Sequence, residues 1–348
     1  MSQSSASRQR KSDNMASFIF YDTHDYEVPF VEEWEKKTGY TVKTVSEPLN
    51  DDTVAQAKGF DGITLMQTTS LGSEKVYAAL ESFGIKQISV RMVGVDMIDL
   101  KAAAAHHLTV THVPVYSPRA IAEMGVTQAM YLLRHIGEYD QRAQKDADFS
   151  WPADLISDEI YTRTVGLIGT GNIGGATAQI YRALGARVIG FDVFENPALA
   201  PFVEFTDKET VLREADIISL HTPLIPSTKN MISTKEFEMM KPNAILINQA
   251  RGGLVDTKAL IHALDTKEIA GAGLDTLADE TTYYGHKVSP ADVPEDYKNL
   301  AARPNVVVTP HVAFFTKTAV KNQVQIALND ALTLVNGGKT RNAIRGEF

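Results

Sequence analysis

Three ionisable residues stand just beyond apolar runs that read as strands. Arg251 follows AILINQA and is backed by Gly252-Gly253, Glu280 lies five residues past Asp275 at the end of AGAGLD, and His311 follows NVVVTP through Pro310. In an open parallel sheet, ligands bind beyond the carboxyl ends of the strands. A cation, an acid and an imidazole meeting there suit reduction of a 2-oxo acid to a 2-hydroxy acid. The guanidinium fork holds a carboxylate or carbonyl oxygen bidentately. Histidine exchanges protons near neutrality, and a carboxylate at its other nitrogen fixes the tautomer. Singly, a histidine is more often a core hydrogen-bonder, and a loop Arg or Glu is more often merely solvated. Their shared position after three strands of one sheet sets them apart.

Such a reaction takes its hydride from a nicotinamide cofactor, and Thr164–Asp192 is built to hold one: TVGLIGTGNIGGATAQIYRALGARVIGFD. Gly169 permits the tight turn after the first strand, Gly171 lets the backbone approach a pyrophosphate, and Gly174 lets the helix pack closely. The open N–H groups of the helix start face the phosphates. Asp192, 18 residues after Gly174, ends the second strand. Its carboxylate accepts hydrogen bonds from ribose hydroxyls and repels a 2′-phosphate, so NAD is expected over NADP. A lone GxGxxG is a weak signal. The strand, helix and distant acid, each where the motif demands it, make this one strong. His221 also ends a strand (ADIISLHTP). It reads as structural or cofactor-lining, with the Thr222-Pro223 backbone flanking the adenosine.

Alternating strand-like and helix-like segments position these residues, which implies α/β architecture with largely parallel sheets. Strands are expected at 18–21, 41–45, 62–66, 87–90 and 109–113, with helices at 29–38, 74–83 and 101–107 between them. Ser117-Pro118 reads as an N-cap with proline at the first helical position, opening one long helix to about Lys145. An apolar stripe through Ile121, Met124, Ala129, Leu132, Leu133 and Ile136 marks its buried face. After the dinucleotide unit, strands at 216–220, 244–248, 270–275 and 305–309 complete a six-stranded doubly wound sheet. The closing helix, 316–336, is expected to pack back on the first third, making that domain discontinuous.

Composition bounds the partners. The 348 residues carry 44% hydrophobic and 22% charged side chains, with net charge −9 and no cysteine. This is an ordinary globular balance. The acidic surface argues against nucleic acid or anionic membrane as a partner, so an anionic substrate must be drawn in by a local cation. The lack of cysteine excludes disulfides and thiolate chemistry and fits a cytoplasmic protein. No apolar run reaches the roughly 20 residues of a membrane helix, and no metal site is expected. Residues 1–15 read as a disordered leader, with Met15 a plausible original start.

The chain resembles the D-isomer-specific 2-hydroxyacid dehydrogenases, and within them the D-lactate dehydrogenases. The resemblance runs from about Phe18 onward. It rests on RMVGVDMIDL, VPVYSPRAIAE, GTGNIG, DIISLHTP, NQARGGLVD, GLDTLADE and RPNVVVTPHVAFFT in order. It implies a Rossmann-type dinucleotide-binding domain (116–313) inserted into a smaller flavodoxin-like substrate domain (16–115 and 314–348), with a cleft and a homodimer joined through the cofactor domain. The family's catalytic trio falls on Arg251, Glu280 and His311. Cofactor contacts fall on Asn172, Ile173, Asp192, Thr222, Pro223, Thr228, Gln249, Ala250 and Asp275. Backbone amides of Val93 and Gly94 hold the substrate carboxylate, while Tyr116 and Phe314 line the pocket. Lactate-type relatives usually carry tyrosine where this chain has Met66, and asparagines at Met92 and Met97. Methionine is flexible and apolar, so Met66 makes room for larger 2-oxo acids such as 2-oxoisocaproate or phenylpyruvate. Two rivals remain. A dinucleotide-sensing corepressor on the same scaffold is disfavoured by the compact, tail-less, acidic chain. A formate dehydrogenase is disfavoured by Glu280, where that group has glutamine.

Overall fold

A computed structural model describes residues 15–285 and 287–344. Of the expected leader at 1–15, residues 1–14 lie outside the described residues, as does His286. Two compact units emerge, one of Met1–Ser117 with Thr316–Phe348, the other of Pro118–Phe315.

The first unit holds β1 (Ser17–Tyr21), α1 (Val28–Thr38), β2 (Thr41–Thr44), β3 (Gly62–Leu65), α2 (Glu74–Ser82), β4 (Gln87–Val90), α3 (Leu100–Ala105), β5 (Thr109–Thr111) and the terminal helix α11 (Lys317–Val335). Its five strands are parallel in the order β2-β1-β3-β4-β5, the flavodoxin-like order. Strands buried on both faces read as continuous apolar runs, as FIFY at 18–21 does. One face packs Phe18 and Phe20 against Val31 and Trp34 of α1 and Val324, Leu328 and Ala331 of α11. Trp34 Nε1 donates to Asn329 Oδ1 at 2.9 Å. The apolar stripe of α11 is therefore spent on the first strands of the chain.

The second unit runs α4 (Pro118–Leu133), α5 (Ile136–Asp146), β6 (Thr164–Ile168), α6 (Asn172–Ala183), β7 (Arg187–Phe191), β8 (Glu204–Phe205), α7 (Lys208–Glu214), β9 (Ile217–Leu220), α8 (Thr234–Met239), β10 (Ile245–Asn248), α9 (Thr257–Asp265), β11 (Gly271–Leu274), α10 (Glu295–Ala301) and β12 (Val306–Val308). The sheet is parallel in the order β12-β11-β10-β9-β6-β7-β8. Strand order reverses between β6 and β9, the place where doubly wound sheets bind ligands.

Two expectations need correction. The sheet has seven strands, not six, because the two-residue β8 pairs with β7. The long helix expected from 118 to about 145 is two helices, α4 and α5. His135 between them is left-handed at φ 51°. Gly137 then sits so tightly on Pro304 that a Cβ would come within 2.3 Å of its carbonyl oxygen. Packing against the neighbouring loop overrides local helix propensity there.

Candidate active site

The glycine turn of β6–α6 has the shape a pyrophosphate requires. Gly169 has φ 94°, and a Cβ on it would lie 2.7 Å from the His221 backbone. A Cβ on Gly174 would lie 2.1 Å from the Gly169 carbonyl oxygen, so helix and turn meet backbone to backbone. Gly171, by contrast, faces open space within 4 Å. It is the N-cap of α6 with no side-chain cap, leaving the first N–H groups, including those of Asn172 and Ile173, for an anion. Asp192 closes the cradle beyond β7. It accepts from the Thr170 amide at 2.6 Å and the Phe194 amide at 3.1 Å. Partial burial would raise its pKa, but these bonds outweigh that and hold it below the usual carboxylate value. A carboxylate ionised at neutral pH therefore stands where ribose hydroxyls belong, and the residues present fit NAD.

Thr222 and Pro223 follow β9 at the switch point. Thr228 braces their loop, its hydroxyl donating to the Pro223 carbonyl at 2.7 Å. Its side chain thus serves the loop itself. His221 Nε2 pairs with the Ser219 hydroxyl at 2.9 Å, and burial pushes its pKa down to about 4. The imidazole is neutral near neutrality, a structural part of the turn. Because the folded pKa lies below the unfolded value of about 6.5, the unfolded state binds more protons between those limits. Stability should therefore fall as pH drops from about 6.5 to 4. The residue keeps some solvent access, so its share is about 1–2 kcal/mol. Urea unfolding at pH 7 and 4.5 measures this, and His221→Gln should flatten the slope.

The catalytic candidates sit on three adjacent strand ends, β10, β11 and β12. His311 Nδ1 lies 2.6 Å from Glu280 Oε1, and Glu280 Oε2 accepts from the Leu277 amide at 2.7 Å. The carboxyl is 14% exposed and the imidazole 38%. One oxygen is therefore anchored to its own loop and the other orients the ring, leaving Nε2 for a reacting molecule. Arg251 is exposed, and its Nη1 donates to the Ala250 carbonyl at 2.7 Å. The Arg251 carbonyl accepts from Asn248 Nδ2 at 2.9 Å. Its loop is locked to the Glu280 loop through Gly252, where a Cβ would stand 1.9 Å from the Leu277 carbonyl carbon. No side chain larger than hydrogen fits, which explains the glycine after Arg251.

Asp275 is fully buried. Its carboxylate accepts from Thr309 Oγ1 at 2.5 Å and from the amides of Val312 and Ala313 at 2.9 and 2.8 Å. Its side chain is thus turned to the His311 loop. Gln249 is likewise buried, donating to Gln128 Oε1 at 2.6 Å. Sequence reasoning passed over Gln128 entirely. Phe314 packs edge-on to His311, with ring centroids 6.4 Å apart.

In the first unit, Met66 and Tyr116 are half-buried beyond β3 and β5. Val93 is 40% exposed in the loop after β4, beside Gly94. The base of that loop is Arg91, wholly buried, with Nε 2.8 Å from Glu27 Oε1 and Nη2 donating to the Tyr21 carbonyl at 2.9 Å. The expected substitution sites Met92 and Met97 differ, since Met97 is a core residue at 7% exposure. Among the described residues there is no cluster suited to a metal ion and no helix long and apolar enough to cross a membrane.

The family model for the D-isomer specific 2-hydroxyacid dehydrogenase NAD binding domain matches residues 126–313. The chain belongs to the D-isomer-specific 2-hydroxyacid dehydrogenases. It is similar to a D-lactate dehydrogenase of Staphylococcus epidermidis, 40% identical over 328 residues that cover 93% of this chain and 98% of that one. Among solved structures it is similar to the D-isomer specific 2-hydroxyacid dehydrogenase of Lactobacillus delbrueckii ssp. bulgaricus in its NAD-complexed form. There the TM-score is 0.92 at 52% identity, covering 94% of this chain and 100% of that one. A D-2-hydroxyisocaproate dehydrogenase gives a TM-score of 0.88 at 34% identity over 95% of this chain and 100% of that one. This dehydrogenase is an NAD-dependent oxidoreductase acting on the CH–OH group of 2-hydroxy acids.

Proposed function

We propose that the enzyme reduces pyruvate to D-lactate with NADH, using His311 as general acid, Glu280 as its orienting partner and Arg251 as the substrate clamp. The observation that carries the reading is the 2.6 Å pair of His311 Nδ1 and Glu280 Oε1 at the strand ends that also bear Arg251. NAD, when bound, supplies or accepts the hydride at its nicotinamide ring. With Nδ1 directed at Glu280, the proton goes to the developing alkoxide from Nε2. In the reverse direction Nε2 takes it back from the hydroxyl. Arg251 spends one of its N–H donors on Ala250, and its planar fork suits the oxo acid's oxygens. The Val93 and Gly94 amides and the Tyr116 side chain are the further substrate contacts of this reading. The Thr222–Thr228 loop and the Gln249-Ala250 backbone flank the cofactor.

Met66, half-buried beyond β3, favours a second reading with longer or aromatic 2-oxo acids, in keeping with the likeness to a D-2-hydroxyisocaproate dehydrogenase. NADH oxidation with pyruvate, 2-oxoisocaproate and phenylpyruvate tests both. Turnover of none of the three would sink the assignment. Run with NADPH, the panel should be slower by about 10-fold or more, since Asp192 repels a 2′-phosphate.

A cytoplasmic homodimer completes the proposal. Between α5 and β6, Phe149, Trp151 and Ile156 are 78%, 93% and 83% exposed, and α5 buries none of its own residues. Large apolar groups left in solvent mark an interface, and a second copy is the partner favoured here. Trp151→Asp is expected to shift the mass measured by light scattering from dimer towards monomer. A wild-type chain that runs as a monomer at micromolar concentration would refute this.

A further inference from the structure

The backbone at His311 is unusual. It is left-handed, at φ 55°, a conformation that is unfavourable for an L-residue and persists only where the surroundings over-determine it. Asp275 supplies much of that determination. Its carbonyl accepts from the His311 amide at 2.8 Å, and its carboxylate takes the next two amides, Val312 and Ala313. Placing the imidazole thus reduces to placing one buried carboxylate.

That carboxylate is held in turn by a chain of side chains. Thr309 Oγ1 donates to Asp275 Oδ1 at 2.5 Å, Gln128 Nε2 donates to Thr309 Oγ1 at 2.9 Å, and Gln249 Nε2 donates to Gln128 Oε1 at 2.6 Å. Every hydrogen points the same way, towards the negative charge, the arrangement in which successive hydrogen bonds reinforce one another. The chain also crosses the sheet. Gln249 is two residues before Arg251 at the end of β10, Asp275 follows β11, Thr309 follows β12, and Gln128 on α4 bridges them.

The backbone is shaped to admit it. A Cβ on Gly125 would lie 2.9 Å from Gln249 Oε1, and a Cβ on Gly273 would lie 2.7 Å from Gln128 Oε1. Glycine inside a helix is unfavourable relative to alanine. Room for the amide pair accounts for the glycine at 125 in α4, while at 273 in β11 a Cβ would meet both Gln128 and, at 2.8 Å, Ile247 Cδ1.

We infer that Gln128 is a positioning residue for the dehydrogenase reaction, setting the imidazole of His311 through Thr309 and Asp275 and tying that loop to the strand end that carries Arg251. The inference rests on the reading of His311 as the acid/base, and the test separates the two. Kinetic constants, NADH dissociation constants from fluorescence and Tm are measured for Gln128→Met, Thr309→Val, Thr309→Ser and His311→Gln, and for Thr309→Val combined with His311→Gln. A side chain displaced by about 1 Å typically costs up to 100-fold in rate. Gln128→Met and Thr309→Val are expected to lower kcat by about 10- to 100-fold while the NADH dissociation constant stays within about twofold of wild type. Thr309→Ser, which restores the hydroxyl, should recover kcat to within about threefold, and Thr309→Val should cost nothing further once His311 is glutamine. Full turnover by His311→Gln would refute the acid/base reading itself. With that variant impaired, the inference falls if folded Gln128→Met and Thr309→Val keep wild-type kcat. It falls equally if their loss lies in NADH binding, or recurs undiminished in the His311→Gln background. If Gln128→Met does not fold, the Thr309 Val and Ser pair decides alone.

Discussion

Replacing His311 with glutamine is expected to lower kcat for 2-oxo acid reduction by about 10²- to 10⁴-fold, the usual contribution of a positioned acid/base. KM should change only a few-fold. Glutamine is close in length and donates a hydrogen bond towards Glu280, so the loop built on Asp275 stays in place. What it lacks is a proton to hand over. Glu280→Gln probes the second half of the pair. It keeps a polar group near Nδ1 but removes the carboxylate that orients the ring and fixes which nitrogen carries the proton, and its loss should be smaller, about 10- to 100-fold. Steady-state kinetics with the best substrate of the panel checks both. Turnover by His311→Gln within threefold of wild type would remove the acid/base assignment, whatever the fate of Glu280.

The strand ends bearing these residues are legible in the sequence for a simple reason. Parallel strands buried on both faces read as unbroken apolar runs. Ile245–Asn248 and Gly271–Leu274 are buried throughout, and the polar residue at or just past the end of each, Asn248 and Asp275, announces itself. The turn of β6–α6 is equally plain, because each glycine answers a separate steric demand. The two-residue β8 is not, since Glu204 is exposed and a pair of residues has no period to detect. Nor is the break at His135. The apolar stripe continues through Ile136, which proves to be 46% exposed, and the contact of Gly137 with Pro304 joins positions far apart in the chain.

The same limit explains what was missed in the site. Gln128 meets Gln249 across 121 positions and Thr309 across 181. On the sequence it is one polar residue in an amphipathic helix, where a glutamine costs nothing and signals nothing. Two faint marks of it existed, the glycine at 125 inside a helical pattern and the glycine at 273 inside a strand. Either implies a close approach by something, but neither says by what. Asp275 ends a strand at the ligand side, so a cofactor contact is the natural expectation. Its hydrogen bonds to Thr309, Val312 and Ala313 join it to the histidine loop as well, across a separation the sequence does not display.

Arg251→Ala should cost about 10³-fold in kcat/KM, with most of the loss in KM. A charge-assisted, bidentate contact to a carboxylate or oxo group is about twice as strong as a neutral one, and on a chain of net charge −9 a local cation must offset the repulsion an anionic substrate meets. Losing such a contact is worth about 4 kcal/mol, or 10³-fold at 1.4 kcal/mol per decade. Its partition between KM and kcat shows where it acts. An interaction made equally with ground and transition states appears in KM alone, and a component in kcat measures how far it tightens as the alkoxide forms. Arg251→Lys keeps the charge without the planar fork, so it should recover the electrostatic share and not the geometric one, leaving a deficit of about 10- to 100-fold. The NADH dissociation constant should move little in either variant, because the carbonyl of Arg251 still accepts from Asn248 and the loop survives loss of the side chain. If Arg251→Lys matched wild type in both constants, a bidentate clamp would be excluded and charge alone would suffice.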